Sequence, residues 1–346
     1  MPKTPLEPRP QSPVAPPVAP PAGPGRARTV LRNIAIASCV PYLALKAAWI
    51  AGSHLGIPDG SPLLDHRTTM IVANGATILM DGSVVVIALL LTQARGRRLP
   101  AWLMALPMWI ATGLLLPIMT GFPVQLLAGL LGGGTPATAN AGRRPFLDEW
   151  VFGVVYTGFI VQGLALGTLF VLYARDRWGH LWQGALRDLQ DGPTTPVLRL
   201  GAVVATVIAL VPGTMHLLWA AGSTAALNPT RIEERTSGFY ALQAVDVLFV
   251  AATVAGVLLL AFRRGGGLPL WVPLALAWGG SGALACWGGW MSVASLTGAQ
   301  ETADQPTTGM VLLYAVQMLV GALVVTQGAY FFAERAAAAK PSGPRP

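Results

Sequence analysis

Eight runs of apolar residues alternate with short polar connections along the chain. Each run has roughly the 20 residues that an α-helix needs to cross the hydrocarbon core of a bilayer. Because lipid offers no hydrogen bonds to an open backbone, such spans are expected to be helical. The pattern predicts an all-α polytopic membrane protein of about eight transmembrane helices, near residues 31–53, 69–93, 101–119, 149–174, 197–221, 237–262, 269–293 and 308–333.

The composition favours a bilayer over water as the surroundings of the chain. Charged residues make up 11% of the 346 residues, against roughly 25% in soluble globular domains. The net charge of +8 would suit a nucleic-acid partner, but the basic residues lie in the short connections between the apolar runs. Membrane topology accounts for that placement. We therefore expect a lipid bilayer, and no nucleic acid, as a partner.

Lysine and arginine are divided unevenly between the two sides that the apolar runs define. Cytoplasmic connections of membrane proteins carry an excess of these residues. An even number of runs puts both termini on one side, and the excess predicts that this side is the cytoplasm. The residues on that side are Lys3, Arg9, Arg26, Arg28, Arg32, Arg95, Arg97, Arg98, Arg175, Arg177, Arg187, Arg199, Arg263, Arg264, Arg335, Lys340 and Arg345. Those on the other side are Arg67, Arg143, Arg144, Arg231 and Arg235.

The apolar runs and their connections divide the chain into five segments. Residues 1–28 are rich in proline and predict a disordered cytoplasmic tail, and residues 336–346 predict a second one. Residues 29–175 and 197–335 each contain four apolar runs and predict two four-helix membrane units. In the connection between them, apolar side chains recur at helical spacing, which predicts a linker helix over 176–196 in the cytoplasmic membrane interface. A helical linker without lipid contact is the alternative.

The connection 120–148 contains one further apolar stretch, residues 124–131. It is too short to cross the bilayer. It predicts a re-entrant segment, an interfacial segment or a lid on the side away from the cytoplasm.

The two units resemble each other in sequence. Residues 91–102 match residues 260–271 without a gap at an offset of 169, and residues 48–53 match 218–223 at an offset of 170. The first match continues to Trp109 with Trp278 and to Gly113 with Gly282. Several matches at nearly one offset predict a tandem duplication of a four-helix unit. Because each unit has an even number of spans, the copies would be parallel, as in transporters built from parallel repeats.

Four ionisable residues lie inside the spans, and ionisable groups at that depth are rare and usually functional. Lys46 and Asp81 lie in the first and second spans, and His216 and Asp246 lie in the fifth and sixth. Lys46 and His216 are separated by the same offset of 170. Each unit therefore has a basic residue on its first helix and an aspartate on its second.

Several other residues support these positions. Asn74 and Gln243 precede the aspartates at helical spacing, so each can share the face of its aspartate. Pro41 and Pro212 each remove a backbone hydrogen bond near the basic residue, and Gly213 weakens the fifth helix further. Tyr156, Gln162, Tyr314 and Gln317 are expected to hydrogen-bond between helices or to line the bundle.

Three interpretations of the ionisable residues stay open. In the functional one, both pairs line a central cavity, the aspartates exchange protons, and histidine responds to pH near neutrality. In a static one, each pair bridges neighbouring helices. In the third, Lys46 extends to the membrane interface without a partner.

The run from Cys39 to Gly52, CVPYLALKAAWIAG, resembles a recurrent first helix of uncharacterised actinobacterial membrane proteins. The residue usage, rich in alanine, glycine, arginine and proline, also fits a high-GC genome. The resemblance implies a plasma-membrane location and no particular activity.

The sequence leaves three classes of function. The first is a secondary transporter of a small molecule, coupled to protons. The second is a non-catalytic component, such as a sensor, an assembly factor or the partner of a separate ATPase. The third is a membrane enzyme acting on lipids or isoprenoids, which is disfavoured because no Asp-rich diphosphate motif is present. No catalytic residue, cofactor site or metal site is predicted, since the chain contains no nucleotide, zinc-protease or serine-hydrolase motif.

Overall fold

The computed structural model describes residues 25–65, 67–132, 147–233, 235–296 and 304–339. Within these ranges the chain is helical and contains no strand. Eight long helices follow one another, α1 Arg26–Ile50, α2 Arg67–Thr92, α3 Ala101–Gly132, α4 Glu149–Trp182, α5 Thr195–Ala220, α6 Ser237–Phe262, α7 Trp271–Leu296 and α8 Thr308–Ala338. The predicted all-α polytopic fold is confirmed. The predicted tail segments 1–24 and 340–346 lie outside the described residues.

Seven of these helices are long and apolar enough to cross a membrane, which makes the chain a multi-pass integral membrane protein. Helix α7 is long enough to cross a membrane, but its mean hydropathy is below that of a membrane span. The apolar pattern of the sequence nevertheless predicts it as a span. Its 26 residues include five glycines and four tryptophans. These residues are much less apolar than leucine or valine, and glycine lets a neighbouring backbone approach closely.

The helices form two groups. Helices α5 to α8, the second bundle, make a closed ring in which each helix packs against the next and α8 returns to α5. In the first bundle, α1 to α4, helix α1 packs between α2 and α4. Helix α3 departs from this arrangement, because it packs more against α6 and α7 than against α2. Helix α3 therefore joins the two bundles.

Helices α3 and α7 cross at two glycines. A Cβ atom on Gly113 would come within 2.3 Å of the carbonyl oxygen of Gly282, so the crossing requires glycine. Two tryptophans tie the same crossing: Trp109 Nε1 donates to Ser281 Oγ at 3.2 Å, and Trp287 Nε1 donates to the Leu114 carbonyl at 3.2 Å. Small residues and interhelical hydrogen bonds are how helices associate where lipid removes the hydrophobic driving force.

We call the end of the protein that carries the loops 93–100, 183–194 and 263–270 the arginine-rich end, and the other the arginine-poor end. Residues 176–196 do not form a separate linker helix, so that prediction is wrong. Helix α4 continues to Trp182, and a short 3-10 turn follows at Leu186–Asp188. The turn is held by backbone hydrogen bonds to the α6–α7 loop, among them Leu186 N to Leu268 O at 3.0 Å. Tertiary contact to this loop replaces helical bonding.

The prediction of a separate re-entrant, interfacial or lid segment at residues 124–131 is also wrong. Helix α3 runs without interruption to Gly132, so residues 124–131 are its last turns and not a separate segment. Pro117 and Pro123 lie inside the helix, which shows that the α-helix tolerates both prolines here. Residues 133–146 lie outside the described part of the chain.

The turns after α1 and α5 have the same hydrogen bonds at an offset of 170. Trp49 Nε1 donates to the Leu55 carbonyl at 2.7 Å, and Trp219 Nε1 donates to the Ala225 carbonyl at 2.8 Å. Gly52 and Gly222 have φ values of 93° and 94°, in the left-handed region that favours glycine. A duplication predicts such pairs, although the duplication itself stays a prediction.

We predict that Gly113→Ala destabilises the protein by about 1–3 kcal/mol, because the new methyl group overpacks the crossing of α3 and α7. The matched control is Gly167→Ala on α4, where an added Cβ meets nothing within 4 Å. Thermal unfolding of both variants in the same detergent would measure the effect. Equal melting temperatures would contradict the role given to this crossing.

Candidate functional site

The first polar cluster lies between α1, α2 and α4, around Asp81. Its neighbours on α2, Leu79 and Ser83, are exposed, so the aspartate is on the opposite side of the helix and faces the bundle. Asp81 is 6% exposed. Asn74, two turns away on α2, is buried as well. The spacing of these residues on one face follows the prediction.

Lys46 enters this cluster from α1 but does not form an ion pair with Asp81. Its ammonium group lies 4.9 Å from the ring centroid of Tyr42 and 4.7 Å from that of Trp49. A cation over the faces of aromatic rings is attracted by their negative π surface. Among the described residues, no acceptor oxygen bonds to Lys46, although its charge interacts with the carboxylate at longer range. A direct Lys46–Asp81 bridge, as the static interpretation requires, is absent from this part of the chain.

Gln162 on α4 completes the first cluster. Its amide lies beside the Asp81 carboxyl group, and the two side chains interact. Two buried oxygens, Asp81 Oδ2 and Gln162 Oε1, have no hydrogen-bond partner among the described residues. A buried acceptor without a donor costs about 1–3 kcal/mol. The cluster therefore lacks at least one donor.

The second cluster lies between α5, α6 and α8, around the buried His216. Its Nδ1 atom lies 2.8 Å from Gln243 Oε1, and its Nε2 atom lies 2.9 Å from Gln317 Nε2. With the proton on Nδ1, the ring donates to Gln243 and accepts from Gln317, which satisfies the neutral imidazole on both sides. Trp219 packs its ring edge-to-face against the imidazole at 5.4 Å. The histidine is thus held in one orientation.

Asp246 is the acidic member of the second cluster. Its Oδ2 atom lies 3.6 Å from His216 Nδ1, and its side chain is 39% exposed. Arg231, on the short helix Pro229–Glu233 at the arginine-poor end, interacts with it electrostatically. The carboxylate therefore lies near two basic groups, of which only the arginine carries a permanent charge.

The structure gathers the predicted residues into two clusters instead of one central cavity. Helix α3 stands between the bundles, so the aspartates belong to separate sites. Pro41 and Pro212 lie inside continuous helices, and Gly213 packs beside Val250. The interhelical hydrogen bond expected of Gln317 is found.

The sequence predicts that Gln162 and Gln317 hydrogen-bond between helices or line the bundle, but it does not assign them to the two clusters around the aspartates. Gln162 and Gln317 occupy comparable places in the two bundles, but they are separated by 155 residues instead of 170. Because their separation differs from the offset of 169 or 170, a comparison of the two units at that offset does not align the two glutamines. A glutamine inside an apolar run was the available signal.

Comparison with protein-family models, with curated proteins and with solved structures found no match to this chain. The chemistry of the two clusters therefore follows from their own geometry. Each combines a basic residue, an aspartate and a glutamine from three different helices.

We predict a weak coupling between Lys46 and Asp81. A double-mutant cycle with Lys46→Met and Asp81→Leu should give a coupling free energy clearly below about 3 kcal/mol, because the two charges interact only at longer range. Unfolding of the four proteins in detergent measures it. A coupling of about 3–5 kcal/mol, the cost of breaking a buried ion pair, would restore the static interpretation.

We also predict that Gln317→Leu destabilises the protein by about 1–3 kcal/mol, because His216 Nε2 loses its donor inside the bundle. The control is Gln327→Leu on the same helix, where the side chain bonds only to the Leu323 carbonyl of its own helix. Its effect should stay within about 0.5 kcal/mol. Melting temperatures of the two variants, compared with the parent protein, decide the matter.

Proposed function

We propose that this protein is a proton-coupled secondary transporter of a small molecule. The observation that carries the proposal is the state of Asp81, which is buried in a membrane-spanning bundle with an unpartnered oxygen and no ion pair. A structural aspartate at such depth normally has its partners built in, since an isolated charge in lipid is costly. Asp81 lacks one of them.

A donor that comes and goes would satisfy the first cluster. A proton on Asp81 would turn one acceptor into a donor, which Gln162 Oε1 could then accept. A hydroxyl or amine group of a substrate would serve the same oxygens. Lys46, held on Tyr42 and Trp49, stabilises the ionised carboxylate at a distance without occupying it. Such a site can therefore hold Asp81 either as the ionised carboxylate or with a bound proton or substrate group.

The organisation of the chain as two parallel copies of four helices belongs to the same proposal. The sequence match between the two units supports it, and so do the turns after α1 and α5, which have the same hydrogen bonds. Helices α3 and α7 also cross at Gly113 and Gly282, which correspond in the sequence match. An axis along the membrane normal would pass between those two glycines. In transporters with parallel repeats, such an axis relates the two halves, which rock against each other around the binding site.

We further propose a plasma-membrane location with both termini in the cytoplasm. The excess of arginine at one end of the helices supports the orientation. The resemblance of the first helix to actinobacterial membrane proteins supports the compartment and the source.

The test compares cells that express the parent protein, Asp81→Asn or Ser83→Ala at equal membrane levels. Asparagine keeps the size of aspartate but cannot exchange a proton, and Ser83 lies exposed on the same helix. Mass spectrometry of medium and cytoplasm should find at least one small molecule that the parent and Ser83→Ala redistribute. Asp81→Asn should leave it at the level of cells without the protein, and a protonophore should abolish the redistribution.

If cells with Asp81→Asn in the membrane redistribute the same small molecules as cells with the parent protein, proton-coupled transport through Asp81 is refuted. Co-purification of a stable partner, with no redistribution by the parent protein, would instead favour the non-catalytic component.

A further inference from the structure

Asp81 and Asp246 occupy comparable places but differ in exposure. Asp246 is the tenth residue of α6 and lies about 14 Å from its start, at a rise of roughly 1.5 Å per residue. Its side chain is nevertheless 39% exposed, and the residue as a whole is half-buried, whereas Asp81 is buried. The position of each aspartate along its helix therefore does not explain the difference in exposure.

The exposed surface of Asp246 is not on the lipid-facing side of α6. Ala244 and Leu248, two residues before and after it, are exposed. Residues two positions apart in an α-helix differ by about 200°, so these two lie nearly opposite the aspartate. The carboxylate also lies 3.6 Å from the buried His216. Its exposed part therefore faces the inside of the second bundle.

A small pocket lies at the arginine-poor end of the second bundle. Its volume is about 60 Å³, well above the roughly 10–15 Å³ that one water molecule needs. Its polar lining includes Asn228, Arg231, Ser295, Asp304 and Tyr314. Arg231 interacts electrostatically with both Asp246 and Tyr314. The pocket and the aspartate thus share Arg231 as a common neighbour.

We infer that water and protons reach Asp246 and His216 through the second bundle, from this pocket past Arg231 and Tyr314. Asp81 in the first bundle is closed to the same solvent. This inference rests on exposure and contacts and does not depend on the proposed transport. It assigns the pocket as an entrance and Arg231, which is exposed at its mouth, as the residue that repels other cations.

Polar side chains surround His216 at the inner end of this route. Gln243 and Asp246 face His216 from α6, and Gln317 faces it from α8 with Tyr314 one turn away. Protonation of Nε2 requires an acceptor there, and the Gln317 amide provides one by turning over to present its oxygen.

The test is cysteine accessibility in a Cys39→Ala, Cys286→Ala background, with the full chain in lipid nanodiscs. Asp246→Cys and its counterpart Asp81→Cys form the matched pair, and Ser295→Cys marks the entrance. A membrane-impermeant methanethiosulfonate reagent should add its mass to Asp246→Cys and Ser295→Cys and leave Asp81→Cys unmodified.

A measurement on the unmutated chain protects the test against misfolded variants. A water-soluble carbodiimide with glycine ethyl ester labels accessible carboxyl groups, and peptide mass spectrometry locates the label. Asp246 should be labelled and Asp81 should not. Protection of Asp246, labelling of its cysteine by membrane-permeant maleimide alone, or equal labelling of both aspartates would each overturn the inference.

The role of Arg231 gives a charge-selective result. In the Asp246→Cys protein, Arg231→Gln should speed modification by a cationic methanethiosulfonate relative to an anionic one, because the positive potential at the mouth is removed. Arg67→Gln, at the same end of the first bundle, should leave that ratio unchanged. An unchanged ratio in Arg231→Gln would show that the route bypasses Arg231.

Discussion

The crossing of α3 and α7 is the contact on which the arrangement of the two bundles depends. Only glycine at position 113 allows the two backbones to approach as they do, and Trp109 and Trp287 fix the crossing with hydrogen bonds. Because α3 is drawn toward the second bundle, its contact with α2 is reduced. The same demand for small residues explains why α7 has the length of a membrane span but not its hydropathy. Close packing between helices here takes precedence over affinity for lipid.

The two clusters use similar residues but differ in how firmly they are held. His216 is fixed by two glutamines and a tryptophan, so its hydrogen bonds are satisfied in the neutral form. Lys46 is held only by the faces of Tyr42 and Trp49, and its long side chain keeps several rotamers within reach. The ring of His216 therefore has little freedom to move between its partners. A flexible ammonium beside an incompletely bonded carboxylate can change partners.

The difference in access gives these two sites different surroundings. Asp246 faces an exposed region inside the second bundle, whereas Asp81 is enclosed by α1, α2 and α4. Charges in the enclosed site interact through a lower effective dielectric constant, so each proton there has a larger energetic effect. In this structure the site of the second bundle is thus open to solvent, and the site of the first bundle is enclosed.

The sequence by itself determined the membrane class, the eight long helices, of which seven are apolar enough to span a membrane, and the ionisable residues they carry. Those properties add up residue by residue along the chain, so hydropathy and charge suffice to predict them. Only the tertiary structure decided that Lys46 lies on aromatic rings instead of on Asp81, that Gln162 and Gln317 complete the clusters, and that α3 belongs partly to the second bundle. These outcomes depend on helix rotation and on close packing between residues far apart in sequence. A periodic apolar pattern is compatible with many such rotations, and only the contacts of specific glycines, glutamines and tryptophans select one of them.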